Sequence, residues 1–500
     1  MRRDDEPGLA EKSIAAWHNR LGSEEHGAPE HWETAPVDRV PFAQKLLYGV
    51  GAFVNNILAA AISGMAIVLN LSLGMSPALV GLLGGLPRIT DALTDPLMGY
   101  ISDNTRSKWG RRRPYIFFGA ILVGIIYIAL WQLPGGKSES FYFWYFLTGS
   151  FVFYLAYTMF ATPWVALGYE LTPDFHERTR LMGVQNFVGQ LAYMVSPWFL
   201  AFMTYDAWFE NQIDGAKVLA VIIGVAAVSL GVLPAIFLRE RFVHAARDPS
   251  GPSGIAYQMG NFFKGLLATV SRKSFQKLGL ATFLVFNGFQ LVASFNIYVL
   301  IYYVFGGDQA LGAKYAAYVG TLGTVSTFAV IPIVTWMGTR WGKRRAFFFS
   351  TGVSIVGYSM KWFVYNPEVP WLVLVPQPLI AFGLGGLFTL MGSMIADVVD
   401  EDELETRERR EGMYGSIYWW VVKLGMAAAL AGGGYLLEAT GFDVALAGAQ
   451  SFRTLTLMRF FDAFVPAVAS GVAIFAIWRY PITEQTAHDI RSKLEARRGG

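Results

Sequence analysis

The chain has no cysteine in 500 residues, which excludes a disulfide framework and a thiolate metal site. Charge is scarce as well. Asp, Glu, Lys and Arg make up 15% of the residues, against roughly a quarter in soluble domains. The histidines (His18, His26, His31, His176, His244 and His488) all fall in tails and loops. Patterns of the GxxxxGK[ST], HExxH and nucleophile-elbow kinds are not placed where they could work, so neither an ATP-driven pump nor an enzyme is expected. Residues 1–43 hold no apolar run of the signal-peptide kind. A net charge of +3 leaves no footprint for a nucleic-acid partner.

What is abundant is apolar sequence. Hydrophobic residues make up 54% and aromatic residues 15% of the chain. They gather in about twelve blocks long enough to cross roughly 30 Å of hydrocarbon as helices: 44–70, 77–103, 114–134, 141–169, 183–203, 216–238, 276–305, 313–338, 345–365, 370–397, 412–437 and 459–480. The blocks are continuously apolar and lack the alternation of a lipid-facing strand. The predicted class is therefore an all-α integral membrane protein. Basic residues collect in alternate connections, in DNTRSKWGRRRP, in the stretch from Arg239 to Lys273 and in GTRWGKRRA. The opposite loops are nearly free of positive charge, which places both termini in the cytoplasm.

The chain repeats itself. GYISDNTRSKWGRRRP closes the second block, and TWMGTRWGKRRAF closes the eighth, six blocks later. This predicts a tail over 1–43, a first six-helix bundle over 44–238, a cytoplasmic connection over 239–275, a second bundle over 276–480 and a tail over 481–500. Such pseudo-symmetric halves resemble the major facilitator fold, with a site near mid-membrane. Asp103, Arg111, Arg112 and Arg113 at the first basic loop are expected to pair across a cytoplasmic gate. Asp397 and Asp400, facing Arg344 of the second loop or Arg409 and Arg410, are expected to do the same.

The most informative segment is GLLGGLPRITDALTDPLMGYISD. A charge at the bilayer centre costs at least about 3 kcal/mol, yet this block carries Arg88, Asp91 and Asp95. Their spacing of i, i+3 and i+7 puts all three on one helical face, with the Thr94 oxygen beside them. Two carboxylates and a hydroxyl make a hard-oxygen set suited to a cation. Plainer readings stand beside this one: Arg88 as no more than a balance for Asp91, Lys423 as no more than a balance for a buried acid, and Lys361, near a helix end, as a snorkelling residue.

ITDALTDPLMGYISDNTRSKWGRRRP resembles the signature of the glycoside–pentoside–hexuronide:cation symporter family, the melibiose permease type. KLLYGVGAFVNNI, TPWVALGYELTPDFHERTRL, MIADVVDEDELETRERREGMYGSIYWWVVKLG and YPITEQTAHDIRSKLEARR extend the likeness over nearly all of the chain after residue 43. The resemblance implies that Asp91 and Asp95 bind the coupling cation, with Thr94 and Thr158 lining the site. It implies a buried, cavity-facing role for Lys423. It also marks departures. Asn56 stands where the family carries a sugar-binding acid, Ala161 where it carries a second, and Asn186 where it carries an arginine. Asn56, Arg88, Trp164, Asn186 and Lys423 are therefore the expected substrate-binding residues, with a substrate other than melibiose.

The expected function is cation-coupled symport of a glycoside or related small polar solute by alternating access, driven by Na+ or H+ and needing no cofactor. A carrier of an amphipathic lipid, such as a lysophospholipid, is the alternative. The expected partners are the bilayer and a small-molecule substrate, and the expected form is a monomer in a bacterial inner membrane.

Overall fold

The computed structural model describes residues 36–105, 107–172, 175–240, 260, 267, 269–293, 295–407, 411–478 and 480–498, and regular structure within them is helical. Most of the expected connection between the halves and most of the expected N-terminal tail lie outside these residues. Among the described residues twelve long helices follow one another: α1 (Phe42–Gly64), α2 (Pro77–Asn104), α3 (Arg113–Trp131), α4 (Glu139–Glu170), α5 (Phe175–Val195), α6 (Gln212–Phe237), α7 (Lys273–Val292), α8 (Gln309–Trp341), α9 (Lys343–Val364), α10 (Gln377–Thr406), α11 (Glu411–Ala439) and α12 (Phe452–Trp478). A shorter α13 (Glu484–Arg498) follows.

Among the described residues, nine segments are long and apolar enough to cross a membrane. Those without such a window are α2, α5 and α9, which are 28, 21 and 22 residues long. Their length suffices; their charge is what differs. Helix α2 carries Arg88, Asp91 and Asp95, α5 carries Glu177, Arg178 and Arg180, and α9 carries Lys343, Arg344, Arg345 and Lys361.

The helix ends differ between the two faces of the bundle. At the face opposite the chain termini, four of the even-numbered helices begin on side-chain caps: Ser76 for α2, Ser138 for α4, Asn211 for α6 and Asp308 for α8. Each oxygen accepts a backbone N–H left without a helical partner. At the terminal face, α3, α7 and α9 instead begin with Arg113, Lys273 and Lys343. A cation in the first turn opposes the helix dipole, so these residues answer to membrane topology and to ion pairing. Lys343 illustrates the pairing, with its Nζ 2.7 Å from Asp397 of the antiparallel neighbour α10.

Packing displays the repeat. Within the first half α1 packs on α5 and α6, α2 on α4, and α3 on α4 and α6. Adding six to each number gives the second half: α7 on α11 and α12, α8 on α10, and α9 on α10 and α12. The contacts between halves obey the same rule, because α2 packs on α11 and α5 on α8. Helices α1 and α7, also related by six, both break near the face opposite the termini. A short helix Ile67–Leu71 follows α1, and Phe295–Tyr298 with a π-turn at Val299–Val304 follows α7.

One buried ion pair belongs to the second half alone. Lys361 of α9 does not snorkel: it is 6% exposed, and its Nζ lies 2.5 Å from Asp462 of α12. The tether of the ammonium is a carboxylate a hundred residues away, which position near a helix end could not reveal. Removing one partner of a buried pair leaves an uncompensated charge and costs about 3–5 kcal/mol. Asp462→Asn is therefore expected to lower the thermal unfolding midpoint clearly, while Lys361→Met with Asp462→Leu restores it. A double variant no more stable than the single one would contradict this account.

Candidate functional site

The sequence places Asp91 and Asp95 one helical turn apart on α2. Helix α4 brings Thr158 and Thr162, also four residues apart, against that face. The Thr158 hydroxyl donates to Asp91 Oδ1 at 3.2 Å, and the Thr162 hydroxyl donates to Asp95 Oδ1 at 2.9 Å. Thr94 Oγ1 lies 3.2 Å from Thr158 Oγ1 and donates to the Thr90 carbonyl at 3.0 Å. From the other half, α11 extends Lys423 into the same place. Its Nζ is 3.1 Å from Asp91 Oδ2 and also contacts Asp95 Oδ2. Asp91 is sealed at 1% exposure, whereas the side chains of Asp95 and Lys423 are 31% and 27% exposed. Two carboxylates with converging oxygens, backed by hydroxyls, can accept a small hard cation.

Arg88 continues the stripe. It is 7% exposed, its guanidinium lies 5.3 Å from the Tyr154 ring centroid, and its Nη2 is 3.5 Å from Ser63 Oγ. Its Nε is buried without a hydrogen-bond partner. Asp91, Tyr157 and Tyr193 complete its electrostatic surroundings. Close by, Tyr157 donates to Asn55 Oδ1 at 2.8 Å, Asn55 donates to Asn56 at 3.2 Å, and Asn56 donates to the Gly189 carbonyl at 3.0 Å. Asn56 is thus the last member of a relay from α4 through α1 to α5.

Trp164 departs from the expected substrate contact. It is 2% exposed, stacks on Tyr48 at 5.0 Å and donates to the Tyr48 carbonyl at 3.2 Å. The indole fills the room left by the absent side chain of Gly51, so it serves the α1–α4 seam. Asn186 is exposed on α5. Thr162, Tyr154 and Asn55 were not among the expected residues. The signal for Thr162 was available: its i, i+4 partner Thr158 repeats the spacing of the two acids.

The charged loops behave differently from expectation. Arg111 and Arg112 both meet Glu170 at the end of α4, with Arg112 at 2.8 Å, and their backbone N–H groups donate to Glu240. Arg113 donates to the carbonyls of Ala235 and Ile236, both at 2.6 Å. Asp397 pairs with Lys343, so Arg344 is not its partner. Arg272 binds Asp402 at 2.5 Å and Glu405. Asp400 lies three residues beyond Asp397 on α10. The side chain of Asp103, and Arg409 and Arg410, lie outside the described residues. At the terminal face the pairs Lys45–Glu177, Arg111–Glu170, Arg272–Asp402 and Lys343–Asp397 each join groups of the same half.

Links between the halves cluster at the other face. Tyr298 donates to Asn70 at 2.9 Å, Trp198 to Thr321 at 3.0 Å and Thr324 to the Tyr193 carbonyl at 3.3 Å. Gln212 bonds Gln309, and the Ala78 N–H at the start of α2 donates to Glu438 of α11 at 3.3 Å. Below that cap α2 and α11 touch backbone to backbone. A Cβ added at Gly81 would lie 2.8 Å from the Leu430 carbonyl oxygen, and one at Gly85 or Gly434 would overlap the carbonyls of Ala427 or Pro77. This conformer is closed at the face opposite the termini. The Lys423 contacts to Asp91 and Asp95 lie at the inner end of that closure.

The family described as MFS/sugar transport protein matches residues 47–484. An isoprimeverose transporter of Lactiplantibacillus pentosus is 25% identical, over 89% of this chain and 89% of its own. A glucuronide carrier protein homolog of Escherichia coli (strain K12) is 24% identical, over 85% and 89%. The sodium-dependent lysophosphatidylcholine symporter 1 of Xenopus tropicalis is more distant, at 22% over 91% and 90%. Among solved structures, a bacterial homolog of the human lysosomal transporter Spinster superposes with a TM-score of 0.65 at 14% identity, covering 90% of this chain and all of its own. That likeness concerns the fold.

Proposed function

Because the chain belongs to the glycoside–pentoside–hexuronide:cation symporters of the major facilitator superfamily, we propose that it imports a glycoside or related small polar solute with Na+ or a proton, by alternating access. In this reading α1–α12 all span the membrane, the basic terminal face with both termini lies in the cytoplasm of a bacterial cell, and the inner-membrane protein works as a monomer.

The observation that carries the proposal is Lys423. It comes from one half, the two acids come from the other, and its ammonium lies against both carboxylates. A cation entering between Asp91 and Asp95 competes with that ammonium for the same Oδ2 atoms. Cation arrival therefore loosens this charged link between the halves, which is what coupling ion binding to rocking requires. Arg88, Asp91, Asp95 and Lys423 balance to zero, and a monovalent cation adds one positive charge. An acidic glycoside would return the cluster to neutrality as it crosses a medium in which unbalanced charge is costly. Arg88, with its buried Nε unpartnered, is the group suited to receive its carboxylate.

The test is uptake into proteoliposomes, with 4-nitrophenyl glucoside, 4-nitrophenyl glucuronide and a lysolipid as probes. The expected result is accumulation of a glycoside probe under an inward Na+ or proton gradient. Lys423→Gln is expected to retain exchange of the probe and to lose its dependence on the cation. Accumulation of the lysolipid alone would replace the sugar reading. Gradient-independent uptake by the wild type would remove symport.

A further inference from the structure

Each acid of the α2 pair divides its two oxygens in the same way. Oδ1 of Asp91 accepts from Thr158, Oδ1 of Asp95 accepts from Thr162, and the Oδ2 atom of each faces Lys423. The matching spacing makes this possible, since residues four apart on a helix share a face. Helix α4 thus acts as a two-rung rule laid against α2. Without a donor on Oδ1, a carboxylate turns about its terminal torsion, which is broad and roughly two-fold.

We propose that Thr162 is a positioning residue of the coupling-cation site: its hydroxyl fixes the plane of the Asp95 carboxylate so that Oδ2 converges with Asp91 Oδ2 on one point. Resting on the reading of Asp91 and Asp95 as the cation pair, this assigns the second rung of α4 a role in metal-cation affinity. Asp95 needs the constraint more than Asp91 does. Asp91 is sealed by packing and has Arg88 beside it, whereas the side chain of Asp95 is about a third exposed. A hydroxyl that donates to a carboxylate keeps its lone pairs, so Thr162 also offers an oxygen to a cation seated between the acids.

Thermal unfolding of purified protein titrated with NaCl or LiCl, with choline chloride holding ionic strength constant, reads cation binding without a substrate. Thr162→Val keeps the shape and removes the hydroxyl, and Thr162→Ser restores it. The expected result is that Thr162→Val needs about tenfold more Na+ for half-maximal stabilisation, equivalent to about 1.4 kcal/mol, while Thr162→Ser stays within about twofold of wild type. Should the valine variant fail to fold, Thr162→Ala against Thr162→Ser provides the same comparison. A wild-type Na+ response in Thr162→Val, or equal loss in the serine variant, overturns the positioning role. Asp95→Asn separates the two levels. If it keeps the wild-type Na+ response, the cation-pair reading fails as well; if the wild type responds to neither cation, the site takes no metal cation and the role of Thr162 in metal-cation affinity fails. If it loses the response while Thr162→Val keeps it, only the role of Thr162 fails.

Discussion

Asp95→Asn is expected to exchange substrate across the membrane and to lose all power to concentrate it. A tenfold cation gradient stores about 1.4 kcal/mol, so one-to-one coupling raises internal substrate about tenfold over external. A membrane potential of 100 mV adds about 2.3 kcal/mol for each charge moved. Without the Asp95 carboxylate one convergent oxygen is gone, and Lys423 keeps Asp91 as a single counter-charge. The cluster of Arg88, Asp91 and Lys423 then carries, with no cation bound, the one positive charge that a bound cation gives the wild type, and nothing ties the cation to the crossing. The accumulation ratio in proteoliposomes should fall to one under any gradient, with counterflow of preloaded substrate still measurable. Asp91→Asn should be the harsher change. Asp91 is buried beside Arg88, and its neutralisation leaves a guanidinium short of charge compensation in a region where that costs about 3–5 kcal/mol. Concentrative uptake by Asp95→Asn at the wild-type level would remove this acid from the coupling site.

The two acids were legible because a carboxylate pair in an apolar helix has no cheap explanation, and the spacing of 91 and 95 assigns them one face. The fold was legible for a related reason, since long apolar blocks and alternating basic loops are direct consequences of a hydrocarbon solvent. The failures all concern partners distant in sequence. Lys361 looked like a snorkelling residue because Asp462, a hundred residues on, cannot be read from its neighbourhood. Trp164 looked like a sugar platform because its seat is made by the missing side chain of Gly51 on another helix. In this conformer, closed at the opposite face, the arginines after α2 meet Glu170 at the end of α4 and Glu240 just beyond α6, acceptors more than fifty residues away in their own half. In each case sequence identified a charge or ring that needed a partner, and tertiary packing chose which one.

The closure opposite the termini depends on glycine, and this gives the second large expected effect. Gly434→Val should hold that face open and abolish transport. A Cβ at Gly434 would overlap the Pro77 carbonyl oxygen and lie 2.9 Å from the Gly81 Cα. Both obstacles are backbone, so no side chain can turn aside, and small residues at such a seam are what lets two helices meet in a membrane. Overpacking a well-packed core costs about 1–3 kcal/mol, and a seam whose obstacles are backbone falls at the upper end. At about 1.4 kcal/mol per decade, the closed conformer should lose roughly a hundredfold in population. The absence of native cysteine makes this directly measurable. Ala78 is 6% exposed at the seam, so Ala78→Cys in the otherwise unchanged chain should react slowly with a membrane-impermeant maleimide added to cells. In the Gly434→Val background the same cysteine should react far faster. Gly392→Val, at a position where an added Cβ meets nothing within 4 Å, is the control and should leave labelling and uptake as they were. Equal protection of the cysteine in both backgrounds would mean that α2 and α11 do not form the outer gate. The same contact places the gate and the cation pair on one helix, with Gly85 only six residues before Asp91. Separation of α2 from α11 at the seam must therefore also pull Lys423 from its two acids, and ion binding and gate opening become one displacement.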